Sequence, residues 1–224
     1  MKRATGSGAG RFVVLEGLDG AGTTTQAERI ASALRADGHK VRVTRQPSDG
    51  PVGSLLRLAL TGRVGLPNGQ GPLSEDALAL LFAADRLDHI HAVVEPAVAR
   101  GEVVLCDRYV LSSLAYQGSA LPMAWVEQVN ARARRPDVTL FLEVPAKVAA
   151  DRRRARGADA ELFEADERQA KIARQYLAAI RRRSGKERIV RLDGSKPVEA
   201  VTQDALEVLR RTLGLGGRRG GRNA

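Results

Sequence analysis

Residues 11–26, RFVVLEGLDGAGTTTQ, constrain the fold more than any other stretch of this chain. The apolar run Phe12-Val13-Val14-Leu15 reads as a buried strand. Gly17, Gly20 and Gly22 then break the extended chain into a turn, and a helix pattern follows from Thr24. Strand, glycine-rich turn and helix, in that order, point successive backbone N–H groups into one concavity at the positive end of a helix dipole. An anion such as phosphate is favoured there. Gly17 and Gly22 stand at the two glycine positions of G-x-x-x-x-G-K-[ST], with Leu18, Asp19, Gly20 and Ala21 between them. Thr24 takes the Ser/Thr position, whose hydroxyl holds Mg²⁺ in such loops. The lysine position is Thr23, so the side chain that ordinarily reaches the β- and γ-phosphates is missing.

Downstream, strand patterns at 41–45, 103–107, 138–143 and 188–192 alternate with helix patterns. One helix carries Leu55, Leu56, Ala59 and Leu60 at helical spacing. Another is capped by Ser74, with Glu75 and Asp76 in its first turn as the dipole favours; whether it continues past Pro96 to Ala99 stays open. Further helices are expected at 121–134, 145–154, 164–182 and 197–213. Five alternations predict an α/β fold, a doubly wound five-stranded parallel sheet flanked by helices, of the P-loop NTPase type. A short lid is expected at about 150–163. The expected organisation is a disordered tail at 1–10, one domain over 11–214 and a basic disordered tail at 215–224.

A chain of 224 residues suits one domain. Its single cysteine, Cys106, excludes an internal disulfide and a cysteine-based zinc cluster, and the apolar run around it suits a buried strand residue. Three histidines show no metal spacing, no apolar run approaches a membrane span, and the start has no hydrophobic segment behind its basic residues. A soluble cytoplasmic protein with no membrane partner is expected. The formal charge of +10 permits nucleic-acid binding. Yet aromatic residues make up only 4% and do not interleave with the charges as a stacking platform requires. The basic excess is local, in 152–156, 181–183 and the tail. Phosphorylated small molecules are favoured over nucleic acid as partners.

In parallel sheets, ligands gather beyond the carboxyl ends of the strands. Here those ends carry Glu16, Arg45, Asp107-Arg108 and Glu143. Phe82 and Arg86 lie one turn apart on a helix face, where a flat ring and a planar guanidinium suit a nucleobase. A core Phe beside a surface Arg is the plainer alternative. Asp107 offers a carboxylate to Mg²⁺ and Arg108 a guanidinium to phosphate; an ordinary ion pair is the alternative. Asp19, inside the phosphate loop, suits a substrate hydroxyl or Mg²⁺. The arginine cluster 152–156 suits either a lid over a transferring phosphoryl group or a solvated face.

Together, EGLDGAGTTTQ (16–26), TRQP (44–47), LFAADR (81–86), DRYVLSSLAYQG (107–118) and PDVTLFLEVP (136–145) resemble the thymidylate kinases over nearly the whole chain. The resemblance implies transfer of phosphate from ATP to dTMP with Mg²⁺, in dTTP synthesis, by a homodimer. It implies that Phe82 stacks on thymine, that Arg86, Ser113 and Gln117 bond the base edge, and that Tyr116 lies under the deoxyribose. Arg57 and Arg108 would hold the acceptor phosphate and Asp19 the 3′-hydroxyl side, while Arg152–Arg156 would belong to the lid. With Thr23 at the lysine position, one of Arg152, Arg153, Arg154 or Arg156 is expected to supply the missing charge, Arg153 and Arg156 being preferred because they lie one turn apart. The chain departs from the pattern at Thr23, at Gln46 where many bacterial members carry Glu, and at Ser48-Asp49 in place of Gly-Gly. A nucleotide-binding pseudokinase, or a kinase of another nucleoside monophosphate, is the alternative.

Overall fold

The computed structural model describes residues 10–64, 73–155 and 162–215. Both expected tails except Gly10 and Leu215, part of the loop after residue 62, and the lid segment 156–161 with Arg156 lie outside the described residues.

Five strands form one parallel sheet in the order β2-β3-β1-β4-β5. They are β1 (Arg11–Gly17), β2 (Val41–Arg45), β3 (Val103–Asp107), β4 (Val138–Glu143) and β5 (Ile189–Asp193). The order follows from the side chains. Nearly every residue of β1, β3 and β4 is buried, so these continuous apolar runs occupy the centre; the half-exposed β2 and β5 take the edges. Register pairs Leu15 with Asp107 on one side and Gly17 with Leu142 on the other. The sheet is the doubly wound one the alternation predicts, and the chain departs from β1 in both directions. That places the reversal of strand order at the carboxyl end of β1, where the glycine turn begins.

The helices are α1 (Thr23–Ala36), α2 (Pro51–Leu60), α3 (Glu75–His89), α4 (Glu95–Ala99), α5 (Val110–Tyr116), α6 (Met123–Val129), α7 (Ala146–Arg154), α8 (Leu162–Arg183) and α9 (Val198–Leu213). Helix α1 packs on α9, and α5 on α8. Ser74 caps α3 through Ala77 N as expected. A π-helical turn, Ile90–Val94, joins α3 to α4, so the chain stays helical past Pro96 to Ala99. Pro96 is tolerated because it sits in the first turn of α4, where an N–H is dispensable.

One helix is shorter than expected. Instead of 121–134, α6 covers only Met123–Val129. Asn130 ends it: its side-chain Nδ2 donates back to Val126 O at 2.8 Å, competing with the backbone ladder. The chain then turns through Ala131 and Ala133.

Candidate active site

The phosphate loop is built from the core outward. Leu18 and Ala21 are buried and anchor it, and Ala21 N donates to Leu18 O at 2.9 Å. Gly20 has φ +95, and a Cβ there would lie 2.3 Å from Ala149 O on α7. Only glycine gives both that backbone angle and that approach. Gly22, also left-handed, is the N-cap of α1, whose helix begins at Thr23 rather than Thr24. Its first N–H groups have no partner within the helix, the arrangement that favours an anion at a helix N-terminus.

A cavity of about 300 Å³ lies over this loop, lined by Gly22, Thr23, Thr24, Asp107, Arg108 and Arg153 among others. Thr24 Oγ1 donates to Asp107 Oδ2, while Asp107 Oδ1 is buried with no hydrogen-bond partner. Thr23 is 5% exposed and brings no charge. Of the lid arginines, Arg153 enters the cavity, its Nη1 donating to Asp19 O at 2.8 Å. Arg152 instead donates to Gly194 O and lines a neighbouring cavity of about 300 Å³ with Gln26 and Lys196. Arg154 pairs with Asp151 at 2.9 Å on the surface.

Next to the loop, Arg108 has φ +73, a left-handed conformation that is costly for a residue with a side chain. The surroundings over-determine it. Its Nη1 donates to Gly17 O and to Tyr176 Oη at 2.8 Å, and its Nη2 to Asp19 Oδ1 at 2.8 Å. Burial opposes the charge, yet Tyr176, Tyr116, Asp19 and Glu16 around it push its pKa well above the ordinary value.

Glu16, fully buried, accepts from Tyr109 N at 2.8 Å, Ser112 N at 3.1 Å, Ser112 Oγ at 2.6 Å and Tyr176 Oη at 3.1 Å. Two of these are N–H groups at the start of α5, which has no side-chain cap of its own. A strand residue thus caps the helix. Burial pushes the Glu16 pKa up, partly offset by Arg108 and Ser112.

A second cavity, of about 350 Å³, opens on the other side of Asp19 and Arg108. Phe82, Arg86, Ser113, Tyr116 and Gln117, separate in the sequence, all line it. The plainer alternative for Arg86 fails, because this residue is 1% exposed rather than on the surface. Its Nε donates to Gln46 Oε1 at 3.0 Å, Nη1 to Asn130 Oδ1, and Nη2 to Tyr109 O at 3.1 Å and Ser113 Oγ at 3.0 Å. Four of five N–H groups are used, so one Nη1–H remains. The Arg108 guanidinium lies 5.8 Å from the Tyr116 ring centroid. Arg57 does not line this cavity; it donates to the Pro47 and Ser48 carbonyls and to Ser54 Oγ.

Sequence reasoning missed Asn130 and Tyr176, which hold Arg86 and Arg108, and had only a noted departure at Gln46. Ile172, Tyr176 and Ile180 read as a packing stripe; nothing local marks the hydroxyl of Tyr176 as an arginine ligand.

Asp19 and Arg108 line both cavities, so a phosphate loop and an aromatic-and-amide cavity share one wall. The family model for thymidylate kinase matches residues 15–205. The chain belongs to the thymidylate kinase family. Among its relatives, a probable thymidylate kinase of Pyrococcus horikoshii is 41% identical over 169 residues, 75% of this chain and 82% of that protein. The Pyrococcus abyssi counterpart is 43% identical over the same coverage. A thymidylate kinase of Xanthomonas oryzae pv. oryzae is 43% identical over 157 residues, 69% of this chain and 65% of that protein. Membership makes the chain an ATP-dependent nucleotide kinase. No helix of this kinase among the described residues is long and apolar enough to cross a membrane.

Proposed function

We propose that this kinase transfers the γ-phosphoryl group of ATP to dTMP, giving dTDP and ADP, for dTTP synthesis. The observation that carries the reading is the shared wall of Asp19 and Arg108 between the two cavities. An acceptor phosphate at Arg108 lies beside the donor phosphates on the loop. One oxygen of the dTMP phosphate attacks the γ-phosphorus as the bond to the β–γ bridging oxygen breaks, and ADP leaves with that electron pair. Catalysis by the chain is then positioning and charge stabilisation. The residues lining the second cavity support thymine recognition, with Phe82 stacking and Arg86, Ser113 and Gln117 bonding the base edge. Tyr116 faces the sugar and Asp19 its 3′-hydroxyl side. Arg57 reaches the acceptor phosphate only by leaving the carbonyls it now holds. The cavity beside Arg152 and Lys196 suits the remainder of ATP.

Thr24 and Asp107 fit Mg²⁺: they form an all-oxygen pair next to the phosphates, and the buried Asp107 Oδ1 lacks a partner. When bound, the cation would neutralise charge on the β- and γ-oxygens. With Thr23 uncharged, Arg153 brings positive charge over the loop, beside Arg108, which lines the same cavity. The reading includes a cytoplasmic homodimer, supported by the exposed Leu55 and Leu58 of α2 and Leu80 of α3, two helices that pack together.

A coupled ADP-release assay over dTMP, dUMP, dCMP, AMP and GMP tests this. A site that hydrogen-bonds a particular base edge rejects analogues lacking it by factors up to ~10⁴. Preference for dTMP is expected; equal turnover of dTMP and AMP refutes it.

A further inference from the structure

Arg86 is a donor on every nitrogen, and that fact fixes the hydrogen atoms of its neighbours. The atom of Gln46 facing Arg86 Nε at 3.0 Å must be the amide oxygen. The amide nitrogen of Gln46 then faces His89 Nδ1 at 3.2 Å, so Nδ1 is the acceptor and carries no proton. The ring proton therefore sits on Nε2, which donates to Thr44 Oγ1 at 2.7 Å. One chain of bonds, Thr44–His89–Gln46–Arg86, runs from β2 through α3 into the cavity that Gln46 and Arg86 line. Gln46, Arg86 and His89 are all buried.

We propose that His89 is a positioning residue for base recognition: its neutral Nε2–H form orients the Gln46 amide so that Oε1 holds Arg86, and a proton on Nδ1 breaks that alignment. This rests on the reading of Arg86 as a base contact. A protonated Nδ1 meets the Gln46 NH₂ donor to donor. If the amide flips, its NH₂ faces Arg86 Nε–H, again donor to donor, and the guanidinium loses that anchor. A glutamate at position 46, as in many bacterial relatives by the resemblance above, accepts from both neighbours and tolerates a charged His89. Gln46 requires the neutral ring.

The charged groups around His89 are Asp85, Arg86 and Asp88 on its own helix and Asp49 in the loop after β2. Burial pulls its pKa below the ordinary value and Arg86 acts in the same sense, against Asp85, Asp88 and Asp49. Asp85 is itself held by Ser48 N at 2.9 Å and Ser48 Oγ at 2.5 Å. The sign is then fixed: the relay is intact above the His89 pKa and lost as pH falls through it.

Two measurements on the full chain test the relay. In ¹H–¹⁵N correlation spectra of the free protein, His89 is assigned with His89→Gln, or by elimination with His39→Gln and His91→Gln if that variant fails to fold. The Nε2–H tautomer is expected at pH 7; an Nδ1–H tautomer or an imidazolium overturns the proposal. In steady-state assays at saturating ATP between pH 5 and 8, the wild-type KM for dTMP should rise about tenfold or more relative to Gln46→Glu as His89 titrates. That size corresponds to one hydrogen bond to a charged group. The KM for ATP should give the same wild-type-to-variant ratio throughout. Titration of the dTMP phosphate is common to both proteins and cancels in the ratio. Parallel KM profiles for dTMP overturn the relay. The tautomer is read without substrate, so failure of the dTMP reading is separable. A chain that binds no dTMP but shows Nε2–H retains the relay, and one that shows Nδ1–H refutes it whatever it binds.

Discussion

Replacing Arg153 with Ala tests the proposal that its charge stands in for the missing loop lysine. Arg153 lines the cavity over the phosphate loop and reaches Asp19 O at 2.8 Å, whereas Arg152 faces the neighbouring cavity and Arg154 faces solvent. A guanidinium about 4 Å from a phosphoryl oxygen, at an effective dielectric constant of about 20, interacts by ~4 kcal/mol per unit charge. If that interaction develops in the transition state, Arg153→Ala lowers kcat by roughly 10³, the lower end of what arginine fingers contribute. The lost charge can be returned from the other side. Thr23→Lys in the Arg153→Ala background places an ammonium at the position ordinarily filled by lysine, and should recover part of the loss, on the order of tenfold or more. The assay is a double-mutant cycle in steady-state kinetics at saturating ATP, Mg²⁺ and dTMP. Thr23→Lys alone should gain much less than it gains in the Ala background. A kcat for Arg153→Ala within a few-fold of wild type shows that the substitution of one charge by the other is wrong.

Arg108→Lys should lower kcat/KM for dTMP by about 10²–10⁴. The ammonium cannot hold Gly17 O, Tyr176 and Asp19 together, and losing one or two charge-assisted bonds costs ~3–5 kcal/mol. ATP binding, measured by calorimetry, should change far less; an unaltered kcat/KM refutes the assignment. Glu127→Gln addresses pH. The hydrogen bond from Arg182 on α8 holds the Glu127 carboxyl below its ordinary pKa, so this pair stabilises the fold above the unfolded pKa and ceases to do so as pH falls through the folded one. Denaturant titrations should therefore show the variant less stable at pH 7, by at most ~1 kcal/mol because the Arg182 side chain is half exposed, with the gap narrowing as pH falls below the ordinary glutamate range. A gap that does not narrow at all on acidification refutes the ion-pair account.

What was legible in the sequence was what local chemistry encodes. Apolar runs between glycine or proline breaks gave the strands β1, β3 and β4, while their central place in the sheet emerged only from the fold. The spacing of Phe82 and Arg86 put both on one face of α3, and they do line one cavity. The burial of Arg86 was not legible, because its partners Gln46 and Asn130 lie 40 and 44 residues away along the chain. The end of α6 was missed for a related reason. Helical propensity favours continuing through 131–134, but the Asn130 side chain takes the Val126 carbonyl and turns its own oxygen to Arg86. Arg57 shows the converse: the resemblance carries it to the acceptor phosphate, while the carbonyls of Pro47 and Ser48 occupy its guanidinium.

Glu16 caps α5 from a strand more than ninety residues earlier in the chain. A seven-residue helix with no cap of its own is too short to persist in water alone. Its first turn is complete only when β1 has already paired with β3 and brought Glu16 beneath it. Ser113 and Tyr116 on α5, and Gln117 just beyond it, are therefore not a module that frays independently of the glycine turn at the end of β1. The two halves should open and close as one cooperative unit, with their amides exchanging with solvent through the same opening event.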